Sequence, residues 1–324
     1  MPDRKRNRAL PEQITLALLL AGFALLCQHQ GWLWRWDYNI YGSQLRFWSR
    51  PAPDDIIIVA IDEDSLAQFG RWPWARIVHA HLLRKLSEEK PKAIAYDVIF
   101  AEPDLLNPDG DVQFADAIRS SGRVALPVHM ELPRPGASPL EILPLPVLGE
   151  SAAAIGHVHV ELDPDGIARR LYLREGLGTP HWPHLSIALL QIADQLPEFT
   201  GHVPDTPAGK PESMLVWTRV QPLLIPFAGP PGHFKQISFA QVMQGNYTPG
   251  TFSDKFVFIG ATATGLGDAL PTPVSGFSHS MSGVEINANV LDALLNDIHI
   301  VPLAKGWQLV ITGLLALLPM LLFP

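Results

Sequence analysis

Two uncharged apolar blocks bracket this chain, residues 14–27 near its start and 307–324 at its end. A helix that spans a bilayer needs ~20 apolar residues. The first block is shorter, but Leu10 and Pro11 lead into it, and Trp32, Trp34 and Trp36 leave it as an aromatic belt. A transmembrane helix is therefore expected over residues 11–33. A cleaved signal peptide shares the basic start and apolar core but needs a small-residue cleavage site. Gln28-His29-Gln30-Gly31-Trp32 is a poor one, so a retained anchor is preferred. The second block is apolar all round, which does not suit the core helix of a soluble domain. It is read as a second transmembrane helix over 305–324, apparently truncated, with more protein expected beyond it.

Arg4, Lys5, Arg6 and Arg8 crowd the first ten residues. Basic clusters stay on the cytoplasmic side, so residues 1–10 are expected to be a cytoplasmic tail and residues 34–304 an extracytoplasmic domain. The net charge is −8 although these basic residues sit at one end, so the middle is more acidic still. Such a surface repels a phosphate backbone, and nucleic acid is excluded as a partner. The single cysteine, Cys27, lies in the first apolar block. The middle therefore has no disulfide framework and no thiolate metal site.

Between the blocks the periodicities alternate. Asp55-Ile-Ile-Ile-Val-Ala-Ile-Asp62 is a β-branched run that suits a strand buried on both faces. Residues 75–89 carry Ile77, Val78, Leu82, Leu83 and Leu86 at helical spacing, and 93–100 form a second buried strand. A short helix over 114–121 precedes a third strand over 124–130. This order implies a parallel sheet with covering helices. The proline-rich stretch 131–149 reads as a loop. Residues 155–160 and 167–173, joined by Asp163-Pro164-Asp165-Gly166, read as a hairpin. Further helices are expected over 185–196, 238–244 and 283–297, strands over 214–218 and 255–260, and a loop over 201–211. The fold class expected is α/β, a mostly parallel sheet covered by helices and flanked by transmembrane helices.

Several motifs, in order, resemble one known family. They are the 55–62 run continued by Glu63-Asp64-Ser65-Leu66, then Gly70-Arg71-Trp72-Pro73-Trp74, then Ala95-Tyr96-Asp97-Val98-Ile99-Phe100-Ala101-Glu102-Pro103-Asp104. Ile155-Gly156-His157-Val158, Asp163-Pro164-Asp165-Gly166-Ile167-Ala168-Arg169-Arg170, Phe258-Ile259-Gly260-Ala261-Thr262-Ala263 and Gly283-Val284-Glu285-Ile286-Asn287-Ala288-Asn289 complete the series. Together they are similar to the CHASE type 2 family of extracellular sensors, over roughly residues 35–300. The resemblance implies a bacterial receptor whose output module lies beyond further membrane helices. That module is a histidine kinase, a diguanylate cyclase or phosphodiesterase, an adenylate cyclase, or a serine/threonine kinase. The family's ligand is generally undefined.

Asp62, Asp97 and the loop from Gly260 to Asp268 each follow a buried strand, and in an open parallel sheet those carboxyl ends share the ligand-binding edge. Aspartates gathered there disfavour anions and suit an amine, a hydroxyl-rich ligand or a hard cation. Candidate ligand-binding residues are therefore Asp62, Asp64, Arg71, Trp72, Trp74, Asp97, Thr262 and Asp268. The blander alternatives are that Asp62 or Asp64 caps a short helix over 65–69, and that the tryptophans pack over the sheet edge while Arg71 pairs an aspartate. His157, His159, His181 and His184 are read as structural or surface residues, with no metal. The 260–267 loop lacks the ending of a phosphate loop, and no catalytic signature occurs.

The expected function is sensory input for a receptor in the bacterial inner membrane, with its sensor domain in the periplasm, no cofactor and no enzyme activity in the residues present. Expected partners are an unidentified small-molecule or envelope cue, the lipid bilayer and a second copy of the chain in a homodimer. The rival reading is a membrane-anchored, metal-dependent hydrolase using Asp62, Asp64 and Asp97.

Overall fold

The computed structural model describes residues 3–322 except 106, 135–136, 197–215, 268 and 277–278. The chain starts with helices α1 (Asp3–His29) and α2 (Trp34–Phe47), then strand β1 (Ile56–Ile61) and helices α3 (Glu63–Phe69) and α4 (Arg76–Glu88). Next come β2 (Ala93–Asp97), α5 (Pro108–Ser121), β3 (Val124–Glu131), β4 (Leu140–Ile142), α6 (Pro146–Gly149) and β5 (Ala154–His157). They are followed by β6 (Glu161–Leu162), β7 (Ala168–Leu177), β8 (Trp182–Pro183), α7 (Leu185–Ile192), β9 (Trp217–Leu224), β10 (Lys235–Ser238) and α8 (Phe239–Gln244). The last elements are β11 (Phe256–Ala261), β12 (Ala269–Leu270), β13 (Met281–Ser282), α9 (Gly283–Leu295) and α10 (Lys305–Leu322).

The chain divides into two units, one made of residues 1–44 and 301–324, the other of residues 45–300. In the first, α1 and α10 run side by side. Gln28 Nε2 donates to Gln308 Oε1 at 3.2 Å, and the Leu25 side chain lies over Gly313. Among the described residues no single helix is long and apolar enough to cross a membrane. Residues 14–29 and α2 pass that test only together, bent by 76°.

The larger unit is built on a seven-stranded sheet in the order β10-β1-β11-β2-β3-β4, with β5 also paired to β3. All its pairings are parallel except β3 with β4. The isoleucines of β1 explain its central place. Ile56, Ile57 and Ile58 are fully buried or nearly so, each worth about 1.5–3 kcal/mol on leaving water, and such a strand needs cover on both faces. One face packs Ile57, Val59 and Ile61 with Leu82 and Leu83 of α4, Phe114 of α5 and Phe239 of α8. Helices α7 and α9 pack on strands of the same sheet. A second, antiparallel sheet joins β6, β7, β8 and β9, and β12 pairs β13.

Two expectations are corrected. Residues 155–160 do not form a hairpin with 167–173: β5 joins the main sheet parallel to β3, and the hairpin is β6 with β7. Gly156 explains the choice, because a Cβ there would sit 2.7 Å from the Leu185 Cα; only glycine lets α7 lie this close to the strand. The stretch 131–149 is not wholly loop either, since β4 extends the sheet edge and α6 starts on Pro146, where a missing N–H costs nothing. The expected loop over 201–211 lies outside the described residues.

Candidate functional site

The carboxyl edge of the sheet is closed in one place and open in another. Beside β1 it is closed. Asp62 caps α3, with Oδ1 accepting from Ser65 N at 2.9 Å, Ser65 Oγ at 2.5 Å and Ser238 Oγ at 2.9 Å. Thr262 N donates to Ile61 O at 3.0 Å, and Thr264 N to Glu63 Oε1 at 3.0 Å. Local bonds consume this part of the edge, as the capping alternative anticipates.

Between β11 and β2 the edge opens. Gly260 sits opposite Asp97 in the register, and a Cβ on Gly260 would meet Val284 Cβ at 2.7 Å and Asp97 Cβ at 3.2 Å. The missing side chain lets α9 settle against the strand end and brings Asn287 to Asp97, where Asn287 Nδ2 donates to Asp97 Oδ2 at 3.1 Å. A cavity of about 570 Å³ begins here, within the range of small-molecule sites. Trp72, Phe100, Val158, Leu266 and Val284 supply apolar wall, while Asp97, Asn287, His129 and His159 supply polar wall.

Of the candidates, Trp72 and Asp97 face this cavity together. Asp62 and Thr262 serve the closed part of the edge, and Asp64 and Arg71 are exposed. Trp74 is buried beneath the loop, its Nε1 donating to Gly70 O at 3.0 Å and its ring 4.9 Å from Phe239. Asp268 lies outside the described residues. Arg76, rather than Arg71, pairs an aspartate: its Nε lies 3.3 Å from Asp111 Oδ1, its guanidinium 4.7 Å over the Phe100 ring, and its Nη2 donates to Glu102 O at 2.8 Å.

The floor holds His79, fully buried among Trp72, Trp74, Tyr96, Phe100, Phe114 and Phe239. Neither ring nitrogen has a hydrogen-bond partner among the described residues. Burial, with the Arg76 charge adding to it, pushes the imidazole down to about 3, so His79 is neutral at physiological pH.

On and behind the cavity wall three histidines are paired. The rings of His157 and His184 meet edge-on at 5.2 Å, and burial pushes each down to about 3. His184 caps α7 through Ser186 N at 3.2 Å. His159 Nδ1 lies 2.9 Å from Glu175 Oε2, which also accepts from Trp217 Nε1 at 2.8 Å. Burial pushes the Glu175 carboxyl up, but these bonds and the nearby imidazoles outweigh it and hold it below its ordinary value. His181 is exposed, 3.5 Å from Glu141. No cluster of three or more metal-ligating side chains occurs among the described residues, so Asp62, Asp64 and Asp97 do not gather into one.

Helix α9 carries the polar residues that the periodicity hides. Glu285, Asn287, Asn289 and Asp292 are all buried, at 0–3% exposure, and each has a defined partner. Glu285 accepts from Gly232 N at 2.9 Å and His233 N at 2.8 Å, while burial raises its carboxyl above the usual range. Asn289 Oδ1 accepts from Ala228 N at 2.8 Å. Asp292 Oδ2 accepts from Arg50 Nη2 at 2.7 Å. Arg50 follows the first unit by six residues, and Arg50 N also donates to Ala228 O at 2.8 Å. The signal available in sequence was four polar residues spaced along an otherwise apolar helix.

The domain is a parallel sheet covered by helices with a cavity opening at its carboxyl edge, the place where α/β folds ordinarily hold small ligands. The family model of the CHASE2 domain matches residues 15–322, and the chain belongs to that family, a sensory domain of signalling receptors. No curated protein and no solved structure matches the chain.

Proposed function

We propose that this chain is the extracytoplasmic input portion of a bacterial membrane receptor, and that it passes a cue received at the Asp97–Asn287 cavity to a cytoplasmic output module. The observation that carries the reading is α9. One helix holds the cavity wall through Asn287 and the incoming chain through Asp292, five residues or about 7.5 Å along its axis. A cue that prefers one position of α9 therefore biases both ends, and a ligand shifts an equilibrium only through such a preference. The chain continues from α9 into α10 within ten residues.

Membrane attachment is supported by the surface of the smaller unit. Leu18, Leu19 and Phe23 of α1 and Leu314 and Leu315 of α10 are 60–67% exposed, an arrangement that suits lipid and is unfavourable in water. The basic residues 4–8 favour a cytoplasmic start. The output classes are those the family resemblance implies.

The test is a receptor carrying its natural output, assayed in cells beside a topology reporter fused after residue 150. A periplasmic reporter signal, with output altered by Leu266→Trp filling the cavity, is expected. A cytoplasmic reporter signal, or output indifferent to a filled cavity, would sink the reading.

A further inference from the structure

The chemistry of the cavity limits what it can hold, and the limits come from four observations. Its walls are largely apolar, with Trp72 and Phe100 as the aromatic surfaces and Val158, Leu266 and Val284 around them. Two carboxylates stand on these walls, the exposed Glu102 and the half-buried Asp97, which accepts from Asn287 Nδ2 at 3.1 Å. The cation nearby, Arg76, is already committed to Asp111, the Glu102 carbonyl and the Phe100 ring. The floor is a neutral histidine, 0% exposed, whose two ring nitrogens have no hydrogen-bond partner among the described residues.

These facts discriminate among ligand classes. An anion would meet Asp97 with Arg76 already neutralised by Asp111, and like charges at close range repel. A hard cation such as calcium wants six to eight oxygen ligands, and among the described residues Asp97 and Glu102 of this wall belong to no cluster of three metal-ligating side chains. A hydroxyl-rich ligand needs polar partners along its whole length, or each unmatched group costs about 1–3 kcal/mol. A protonated amine on an apolar body meets none of these objections. Its ammonium makes a charge-assisted bond to a carboxylate, and the cation is further stabilised on an indole face. The body replaces water against Trp72, Phe100 and Val284.

His79 borders the same cavity, and neither of its ring nitrogens has a hydrogen-bond partner among the described residues. A neutral imidazole presents one donor and one acceptor there.

We propose that the cavity binds a small primary amine with an aromatic or branched aliphatic body, its ammonium on Asp97 and its body between Trp72 and Phe100. This inference rests on the reading of the cavity as the cue site, and names the chemistry of that cue.

The test uses three probes with one body and three head groups, phenethylamine, 2-phenylethanol and phenylacetate, titrated against the whole chain in lipid nanodiscs by calorimetry. Phenethylamine is expected to bind at least about tenfold tighter than phenylethanol, a difference of about 1.4 kcal/mol, with phenylacetate weakest. Asp97→Asn should remove the amine's advantage while leaving phenylethanol binding unchanged, and Trp72→Ala should weaken amine and alcohol alike. Melting temperatures of both variants near that of the parent chain exclude misfolding; if Asp97→Asn fails this check, Asp97→Ser serves instead. Phenylacetate binding as well as phenethylamine, or an amine preference that survives loss of the Asp97 charge, overturns the proposal. Equal binding of all three head groups, abolished by Leu266→Trp, would also overturn the amine while leaving the cavity as the cue site. No binding by any probe would overturn the proposal as well, and the cellular output of Leu266→Trp would then decide the cue site separately.

Discussion

Arg50 Nη2 and Asp292 Oδ2 lie 2.7 Å apart, with side chains 17% and 5% exposed, and join the start of the large unit to the last turn of α9. The same guanidinium nitrogen donates to Pro226 O at 3.0 Å, and Asn296 Nδ2 donates to Asp292 Oδ1 at 2.8 Å. The pair is a part-buried, hydrogen-bonded contact between segments 242 residues apart.

Breaking this pair on one side leaves a charge without its partner. Arg50→Gln or Asp292→Asn is expected to destabilise by about 3 kcal/mol, read as a fall in melting temperature. Arg50→Met combined with Asp292→Leu should recover most of that stability, because an apolar pair of similar volume is often neutral. Cellular output should stay disturbed in the double variant. If the double variant signals normally, the ion pair is only structural.

Asp62 follows β1 and Asp97 ends β2, yet they should respond differently. Asp62→Asn keeps a competent cap and should leave melting and output alone, whereas Asp62→Ala should cost ~1 kcal/mol without affecting output. Asp97→Asn should alter output with little change in melting. Matching output effects from the two asparagine variants would argue against separate roles.

Gly260→Ala tests the close approach of α9. The added methyl would sit 2.7 Å from Val284 Cβ, inside van der Waals contact. Overpacking of this kind costs about 1–3 kcal/mol. Hydrogen exchange should show Asn287 and its neighbours losing protection before the β1 isoleucines; uniform loss across the domain would contradict this.

The buried histidines set a pH dependence. His79, His157 and His184 are held down at about 3 from an ordinary 6.5. Below pH 6.5 the unfolded chain binds protons that the fold refuses, so their stabilising contribution is complete above about 6.5 and is lost as pH falls toward 3. Glu285, raised by burial, works in the opposite direction over the carboxylate range. Thermal melts should drop between pH 6.5 and 4, and His79→Leu should flatten the curve while matching or exceeding parent stability at pH 7. An unchanged slope in His79→Leu would show that His79 is not one of the refusing groups.

The parts legible in the sequence were those set by local chemistry. The β-branched run of β1 and the glycine-closed helices α3 and α5 announce themselves because their neighbours in sequence decide them. The 155–160 segment did not, because its partner β3 lies some 30 residues earlier and the choice depends on packing of Leu185 over Gly156. The candidate site was half legible. Trp72 and Asp97 stood out by type and place, but the aspartate pairing expected of Arg71 falls to Arg76. Asn287 stood in the sequence only as one of four polar residues on an otherwise apolar helix; such residues are ordinarily solvated, and the structure covers α9 on every side.

Helix α9 also constrains how a signal could move through it. Its four buried polar side chains act as detents, each seated in a matching group on a different segment: the 232–234 turn, Asp97, Ala228 and Arg50. A slide of a single residue step, 1.5 Å, unseats all four, and each unseated buried group costs about 1–3 kcal/mol. Small drifts are therefore resisted from both ends. If α9 carries the cue as proposed, a rod held in this way yields only to a push that unseats all four groups together, so the output should be a step with a threshold, not a dial.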